Sequence, residues 1–118
     1  MPKSMPDAPT LLKAAITYLE EELMPTLDGY HRFKTRVTVN VLSTLRRELE
    51  LRDAQATAER ARLAAILGHH GDVEALSNEL SDRIRSAAIA IDDPALRAHV
   101  RQSLADALAI NNPKWLTR

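Results

Sequence analysis

The sequence predicts an all-α protein, a five-helix up-and-down bundle that forms a single domain. Alanine and leucine dominate the composition, with 18 Ala and 17 Leu among 118 residues, and both residue types favour helices. Apolar residues recur at spacings of three and four, whereas Val, Ile and Thr form no alternating run that would indicate a strand. Turn signals leave only short connections between the helical segments, and short connections favour antiparallel neighbours.

The bundle is predicted to occupy residues 9–112, between a flexible N-terminal tail over residues 1–8 and a C-terminal tail over residues 113–118. Asp7 is the expected N-cap of the first helix, which runs to about Met24 and stops at Pro25. Its apolar stripe comprises Leu12, Ala15, Ile16, Leu19 and Leu23.

The second predicted helix runs from about Tyr30 to Arg52. Asp53 is expected to cap a third helix, which ends at Leu67 because Gly68 follows. The core face expected for the second helix comprises Phe33, Val37, Val41, Leu42, Leu45 and Leu49.

Aspartates also introduce the last two predicted helices. Asp72 is expected to cap the fourth helix, and Asp92 or Asp93 together with Pro94 opens the fifth. The expected core faces are Val73, Leu76, Leu80, Ile84 and Ala87 in the fourth helix, and Leu96, Val100, Leu104 and Leu108 in the fifth.

The charge balance excludes one class of partner and suggests another. The 16 basic and 16 acidic residues cancel, which argues against a nucleic-acid binder that neutralises phosphates. Residues 1–30 carry two basic and five acidic residues, whereas residues 31–52 carry six basic and two acidic ones. The basic segment therefore either pairs with the acidic segment or attracts an anion or an acidic partner.

The sequence lacks the residues or motifs that several functional classes require. The lack of cysteine excludes disulfides, thiolate nucleophiles and Cys-ligated metals. A run of ~18 apolar residues and the apolar segment of a signal peptide are both missing. We therefore expect a cytoplasmic protein that binds no membrane, no nucleic acid, no metal and no cofactor. Since no phosphate-binding loop or nucleophile motif occurs either, an enzyme is the least favoured function.

Glu48 falls inside the apolar arc of the second predicted helix. A buried carboxylate must be paired or protonated. We interpret Glu48 as the ion-pair partner of an arginine of the third helix, such as Arg60 or Arg62. The alternative is a carboxylate in a pocket, where it would act as a general acid or base.

A polar stripe flanks the same arc. Four polar residues lie within about 60° of one another on the helical wheel: Arg36, Asn40, Ser43 and Arg47. Two guanidinium groups and an amide at the rim of a groove suit a carboxylate or phosphate. With Glu48, the two arginines and Asn40 form the candidate ligand-binding set; the alternative is that they pair with acids and backbone groups.

Small residues and histidines give two weaker signals. Ala54, Ala58, Ala61 and Ala65 lie on one line of the third predicted helix, which indicates close packing within the chain or the seam of a homodimer. His69-His70 with Asp72 has the composition of a metal site but lacks a spaced partner, so a solvated loop is favoured.

Five stretches of the sequence resemble an uncharacterised bacterial all-helical family of unknown function. They are Asp7–Ala15, Glu21–Gly29, Phe33–Leu42, Arg46–Leu51 and Asn111–Trp115. The resemblance implies which proteins the chain acts with, and it supplies no activity or catalytic residue. Members stand beside or are fused to aminoglycoside-phosphotransferase-like kinases, and are encoded near acyl-CoA dehydrogenases. It therefore implies an accessory interaction domain with a kinase-like or acyl-CoA-dehydrogenase-like partner. The alternative function is a binding module for a small anionic ligand, such as an acyl-CoA, a nucleotide or a carboxylate.

Overall fold

Helices joined by short turns make up the part of the chain that the computed structural model describes, residues 6–117. The four α-helices are α1 (Ala8–Thr17), α2 (Gly29–Leu67), α3 (Val73–Arg85) and α4 (Pro94–Asn111). A π-helical turn (Tyr18–Leu23) and a 3-10 turn (Met24–Thr26) follow α1, and a 3-10 helix (Pro113–Thr117) follows α4. Since these residues contain no strand, the all-α prediction is confirmed, whereas the count of five helices is wrong. Residues 1–5 of the predicted N-terminal tail lie outside the described residues.

The count is wrong because the second and third predicted helices are one helix of 39 residues. Asp53 was expected to cap the third helix, but it lies inside α2. An N-cap needs extended backbone and a break in the preceding hydrogen bonds. No Gly or Pro lies between Tyr30 and Leu67, and good helix formers surround Asp53, so the mild preference of one aspartate for caps is outweighed.

The chain divides into two compact units, unit 1 (Met1–Arg52) and unit 2 (Asp53–Arg118), and α2 contributes to both. In unit 1, α1 packs against the first part of α2 around Ile16, Met24 and Val39. The α-helical pattern stops ahead of Pro25, which has no N–H to donate, and the Met24 N–H donates to the Leu19 carbonyl as a π-turn.

The core face predicted for the second helix is wrong. Val39 is 4% exposed and faces α1, whereas five of the six predicted residues are at least 41% exposed. Only Leu42 of the predicted set packs against the core of unit 1. This part of α2 carries two apolar faces, and α1 covers the one with fewer large side chains.

Unit 2 has the larger core, built from α3, α4 and the second part of α2. Its buried residues are Leu63, Leu67, Leu76, Leu80 and Leu96. The core face of the fourth predicted helix is confirmed except for Ala87, which is exposed with φ of +60° beyond the end of α3. Of the core face predicted for the fifth helix, Leu96 is buried and Leu108 is half-buried, whereas the prediction is wrong for Val100 and Leu104, which are exposed.

The predicted caps of three helices are confirmed. Asp7 accepts a hydrogen bond from the Thr10 N–H, Asp72 from that of Glu74, and Asp93 from that of Leu96. Gly68 ends α2 with φ of +83°, a left-handed conformation that glycine adopts without strain. The Ala54, Ala58, Ala61 and Ala65 line is exposed, so packing within the chain does not account for it.

The continuity of α2 predicts how two aspartates respond to substitution. Asp53→Ala leaves the free energy of unfolding unchanged or raises it by a few tenths of a kcal/mol, because alanine is the better residue inside a helix. Asp93→Ala, the matched control, lowers it by about 1 kcal/mol, because it removes a working N-cap. Urea unfolding followed by circular dichroism measures both, and equal losses for the two variants would mean that α2 begins anew at Asp53.

Candidate functional site

The most exposed apolar surface of unit 1 runs along α2, and we call it the α2 stripe. It comprises Tyr30, Phe33, Val37, Val41, Leu45 and Leu49, which are between 41% and 67% exposed. At about 100° per residue, the first four of these side chains project from α2 roughly opposite to Val39 and Leu42, which contact α1. Leu45 and Leu49 turn progressively toward the side of Leu42, because a four-residue repeat advances by about 40° at each step. The α2 stripe is therefore the uncovered face of a helix whose other face forms the core.

Charged and aromatic side chains lie at the two ends of the α2 stripe. At one end the Lys34 ammonium lies 5.8 Å from the centre of the Tyr30 ring, within the range of a cation–π contact. At the other end Glu48 forms an ion pair with Arg52. The charges therefore frame the apolar surface without interrupting it.

The candidate ligand-binding residues from the sequence all lie on α2 within unit 1. Arg36 and Asn40 are exposed one turn apart, and Arg47 is half-buried. Arg47 donates to the Thr44 Oγ1 at 3.2 Å. A single helix places these groups along a line, so they provide charge at its surface and do not by themselves enclose a ligand.

Glu48 has a different partner from the one predicted. It was expected to pair with Arg60 or Arg62, but its carboxylate is held by Arg52, four residues later on the same helix. Since Glu48 and the two arginines belong to one continuous helix, the predicted pairing between helices cannot form. Glu48 is half-buried, so solvent meets much of its need for hydrogen bonds.

A cluster of polar side chains lies inside unit 2 between α2 and α4. Arg62 Nε donates to His99 Nδ1 at 3.1 Å, and its Nη2 lies 3.8 Å from Asp106 Oδ2. Gln55 Nε2 donates to the Asp106 carbonyl at 3.0 Å. These contacts connect residues on the two helices in pairs, so the cluster holds α4 against α2.

His99 is the buried member of this polar cluster, at 9% exposure. Burial lowers the pKa of His99, and the charge of Arg62 lowers it further, against a smaller upward effect of Glu59. Because Nδ1 accepts a hydrogen bond from Arg62, the ring is neutral there. The sequence offered one signal that was missed: His99 follows Leu96 by three residues and so shares its buried side of α4.

The histidine loop contains a hydrogen-bonded pair. His69 Nε2 donates to Glu79 Oε1 at 2.7 Å, and its Nδ1 donates to the His70 carbonyl at 3.1 Å. The bond to His70 and the Glu79 carboxylate raise the pKa of His69, since only imidazolium donates through both nitrogens. Within residues 6–117, no group of three or more His, Asp or Glu side chains is arranged to hold a metal ion.

A second apolar surface lies on α4 of unit 2, and we call it the α4 groove. It is an open depression of about 480 Å³ lined by Ile84, Ile91, Leu96, Arg97, Val100, Arg101 and Leu104. Arg97 and Arg101 form no ion pair with any residue between positions 6 and 117. Their guanidinium groups thus add positive charge beside apolar side chains.

The two shifted histidines predict opposite effects of pH on stability. His99 has a lower pKa in the folded chain than its unfolded value of ~6.5. Its contribution is therefore complete above that value and is lost as the pH falls from ~6.5 toward the folded pKa. His69 has a raised pKa, so its contribution is complete below ~6.5 and is lost as the pH rises through the folded pKa.

Unfolding free energies from about pH 5 to 8 test both signs. His99→Gln keeps an acceptor for Arg62 but cannot titrate, and we expect it to remove the loss of stability at acid pH. His69→Gln, the matched control on an exposed loop, removes only the loss at the alkaline end. A His99→Gln variant with the same pH profile as the parent chain would contradict the prediction.

A sequence-family match covers most of the chain. None of the described helices combines the length and the low charge that a membrane span requires. No curated protein and no solved structure matches the chain. Residues 25–115 match a sequence family described as a domain of unknown function, DUF6285, and this range includes the α2 stripe and the α4 groove. The chain therefore belongs to the DUF6285 family of domains of unknown function.

Proposed function

We propose that this chain is an accessory protein-interaction domain. The observation that carries the proposal is the distribution of its large apolar side chains. Among the described residues 6–117, thirteen large hydrophobic residues are exposed, whereas eight hydrophobic residues are buried. Scattered single exposures are ordinary, but contiguous apolar patches indicate a surface that another molecule covers.

The α4 groove is the surface proposed for the partner protein. Val100 and Leu104 are exposed one turn apart, and Arg97 and Arg101 lie on the same side of α4. An apolar centre with arginines at its rim is typical of a protein interface. The matching surface on the partner would carry apolar side chains and carboxylates.

The partner proposed is an aminoglycoside-phosphotransferase-like kinase or an acyl-CoA dehydrogenase. This identity rests on the family resemblance and not on the geometry of the groove. A cytoplasmic location is part of the same proposal.

Titration calorimetry with a purified partner of either class tests the interaction. We expect micromolar or tighter binding that Leu104→Glu weakens at least about 30-fold, because it places a carboxylate at the apolar centre. Ala98→Glu, on an exposed part of α4 outside the groove, is the matched control and leaves the affinity within a few-fold. No heat of binding from either class at ~100 μM chain would count against the proposal, since an interface with hot spots binds more tightly.

The alternative function is the binding of a small anionic ligand, an acyl-CoA, a nucleotide or a carboxylate. The observation that favours it is the shape of the α4 groove, which offers apolar walls to an acyl chain and two guanidinium groups to its acidic head. This site differs from the set Arg36, Asn40, Arg47 and Glu48, which stays a prediction.

Thermal unfolding in the presence of palmitoyl-CoA distinguishes the two ligand sites. Saturation at 100 times Kd stabilises the chain by about 2.7 kcal/mol. Binding in the α4 groove is lost in the Arg97→Ala/Arg101→Ala variant and kept in the matched Arg36→Ala/Arg47→Ala variant. Binding at the α2 residues gives the reverse, and no stabilisation by palmitoyl-CoA, a nucleotide or a simple carboxylate removes the alternative.

A further inference from the structure

Unit 1 buries too little apolar surface to be complete by itself. Among its described residues, 6–52, the core has three buried side chains, Ile16, Met24 and Val39. The α2 stripe alone exposes twice as many large apolar residues. Units of this size are marginal, and oligomerisation is one of the ways in which small folds gain a sufficient core.

The α2 stripe has the pattern of a self-complementary surface. Phe33, Val37, Val41, Leu45 and Leu49 repeat every four residues, so the apolar positions are symmetric about Val41. If two α2 helices pair antiparallel around a two-fold axis at Val41, Val37 lies opposite Leu45, whereas Phe33 and Leu49, about 80° to either side of Val41 on the helix, lie at the two edges of the interface. An isologous interface requires this reciprocity, since each contact must occur twice.

The charges at the ends of the α2 stripe obey the same symmetry. Lys34 lies seven residues before Val41, and Glu48 lies seven residues after it, so each faces its opposite charge in the second copy. Tyr30 lies opposite Arg52, which provides a cation–π pair. A parallel pairing would instead place Lys34 beside Lys34 and Glu48 beside Glu48, which is unfavourable.

The area of the α2 stripe is sufficient for a dimer. An aromatic side chain offers ~150–250 Å² and an aliphatic one somewhat less, so the six partly exposed side chains present on the order of 600 Å² per copy. Two copies therefore bury at most roughly 1,200 Å² in total, against the ~1,000 Å² that a specific interface needs. Leu11 of α1 and Tyr18 of the π-helical turn are also exposed and provide further apolar surface on the same unit.

From these observations we infer that the α2 stripe is the interface of a homodimer, in which two copies of unit 1 pair their α2 helices antiparallel about Val41. Two helical hairpins then form a four-helix arrangement with a shared apolar centre. The seam differs from the exposed alanine line of α2, because that line lies in unit 2 and lacks large side chains. The inference concerns a different surface from the α4 groove, so either proposal can fail without the other.

Sedimentation equilibrium of the full chain is the first test. We expect a mass twice the 13.1 kDa of one chain. Val41→Glu places two carboxylates together on the two-fold axis and weakens self-association at least about 30-fold. Leu104→Glu makes the same change at an exposed leucine of unit 2 and, as the matched control, leaves the dimer intact. A parent chain that is monomeric at ~100 μM overturns the inference.

Cysteine cross-linking tests the register, because the chain contains no cysteine of its own. Val41→Cys is expected to form a disulfide-linked dimer under mild oxidation, since residues on the axis approach within the ~4.4–6.8 Å Cα separation that a disulfide spans. An equal mixture of Val37→Cys and Leu45→Cys is expected to form the mixed dimer preferentially. Homodimers of Val37→Cys alone would indicate parallel helices and overturn the proposed pairing.

A charge exchange tests the ends of the interface without changing its apolar centre. Lys34→Glu alone and Glu48→Lys alone each place like charges opposite each other and weaken self-association. The double variant Lys34→Glu/Glu48→Lys restores opposite charges and returns the dissociation constant to within a few-fold of the parent value. If the double variant loses as much association free energy as the two single variants together, these residues do not meet.

If Val41→Glu instead abolishes binding of a kinase-like or dehydrogenase-like protein to a monomeric chain, the α2 stripe belongs to that partner.

Discussion

The length of α2 is the constraint on which the rest of the structure depends. An uninterrupted helix of 39 residues is about 58 Å long at 1.5 Å per residue. The helices that pack on it are much shorter, with 10 residues in α1, 13 in α3 and 18 in α4. A helix so much longer than its neighbours cannot be covered all round by them, and the exposed apolar surfaces follow from this mismatch.

The two units are stabilised by different features. Unit 2 encloses five leucines and adds a buried polar cluster in which Arg62 and His99 satisfy each other. Such pairing is needed because an unpaired buried polar group costs more than its hydrogen bond gains. Among the described residues, no buried side-chain nitrogen or oxygen lacks a hydrogen-bond partner. Unit 1 has neither a large core nor a buried polar cluster, so its second apolar face matters more to its stability.

Local signals in the sequence predicted most of the boundaries, because caps act over three or four residues. Three aspartates cap the N-termini of helices, namely Asp7, Asp72 and Asp93, and Gly68 ends α2 in a left-handed conformation. The same argument failed at Asp53, because a residue that favours N-caps does not interrupt a helix when the flanking residues continue it. The residues of α3 that face the core were predicted for a similar reason, because α3 has one apolar face.

The choice of core face on α2 and the candidate site needed information that periodicity does not contain. Val39 and the α2 stripe both fit a helical repeat, and only the position of α1 decides which of them is covered. The same holds for Glu48: its place in the apolar arc was correctly identified, but the inference of a buried charge assumed that this arc was the core. Likewise His99 has a partner 37 residues away, and such a pair becomes visible only when two helices are placed together.

The difference between the two exposed surfaces suggests how they work together. The α2 stripe is symmetric about one residue and balanced in charge, so a second copy of itself is the complement that fits. The α4 groove has no such symmetry: Arg97 and Arg101 add positive charge without acidic counterparts in the lining of the groove. A surface that repels its own copy and attracts acidic groups is suited to a different molecule. A dimer built on α2 would present two α4 grooves. A partner with two acidic sites would then bind the dimer more tightly than it binds a single groove, because its second contact would form at a high effective concentration.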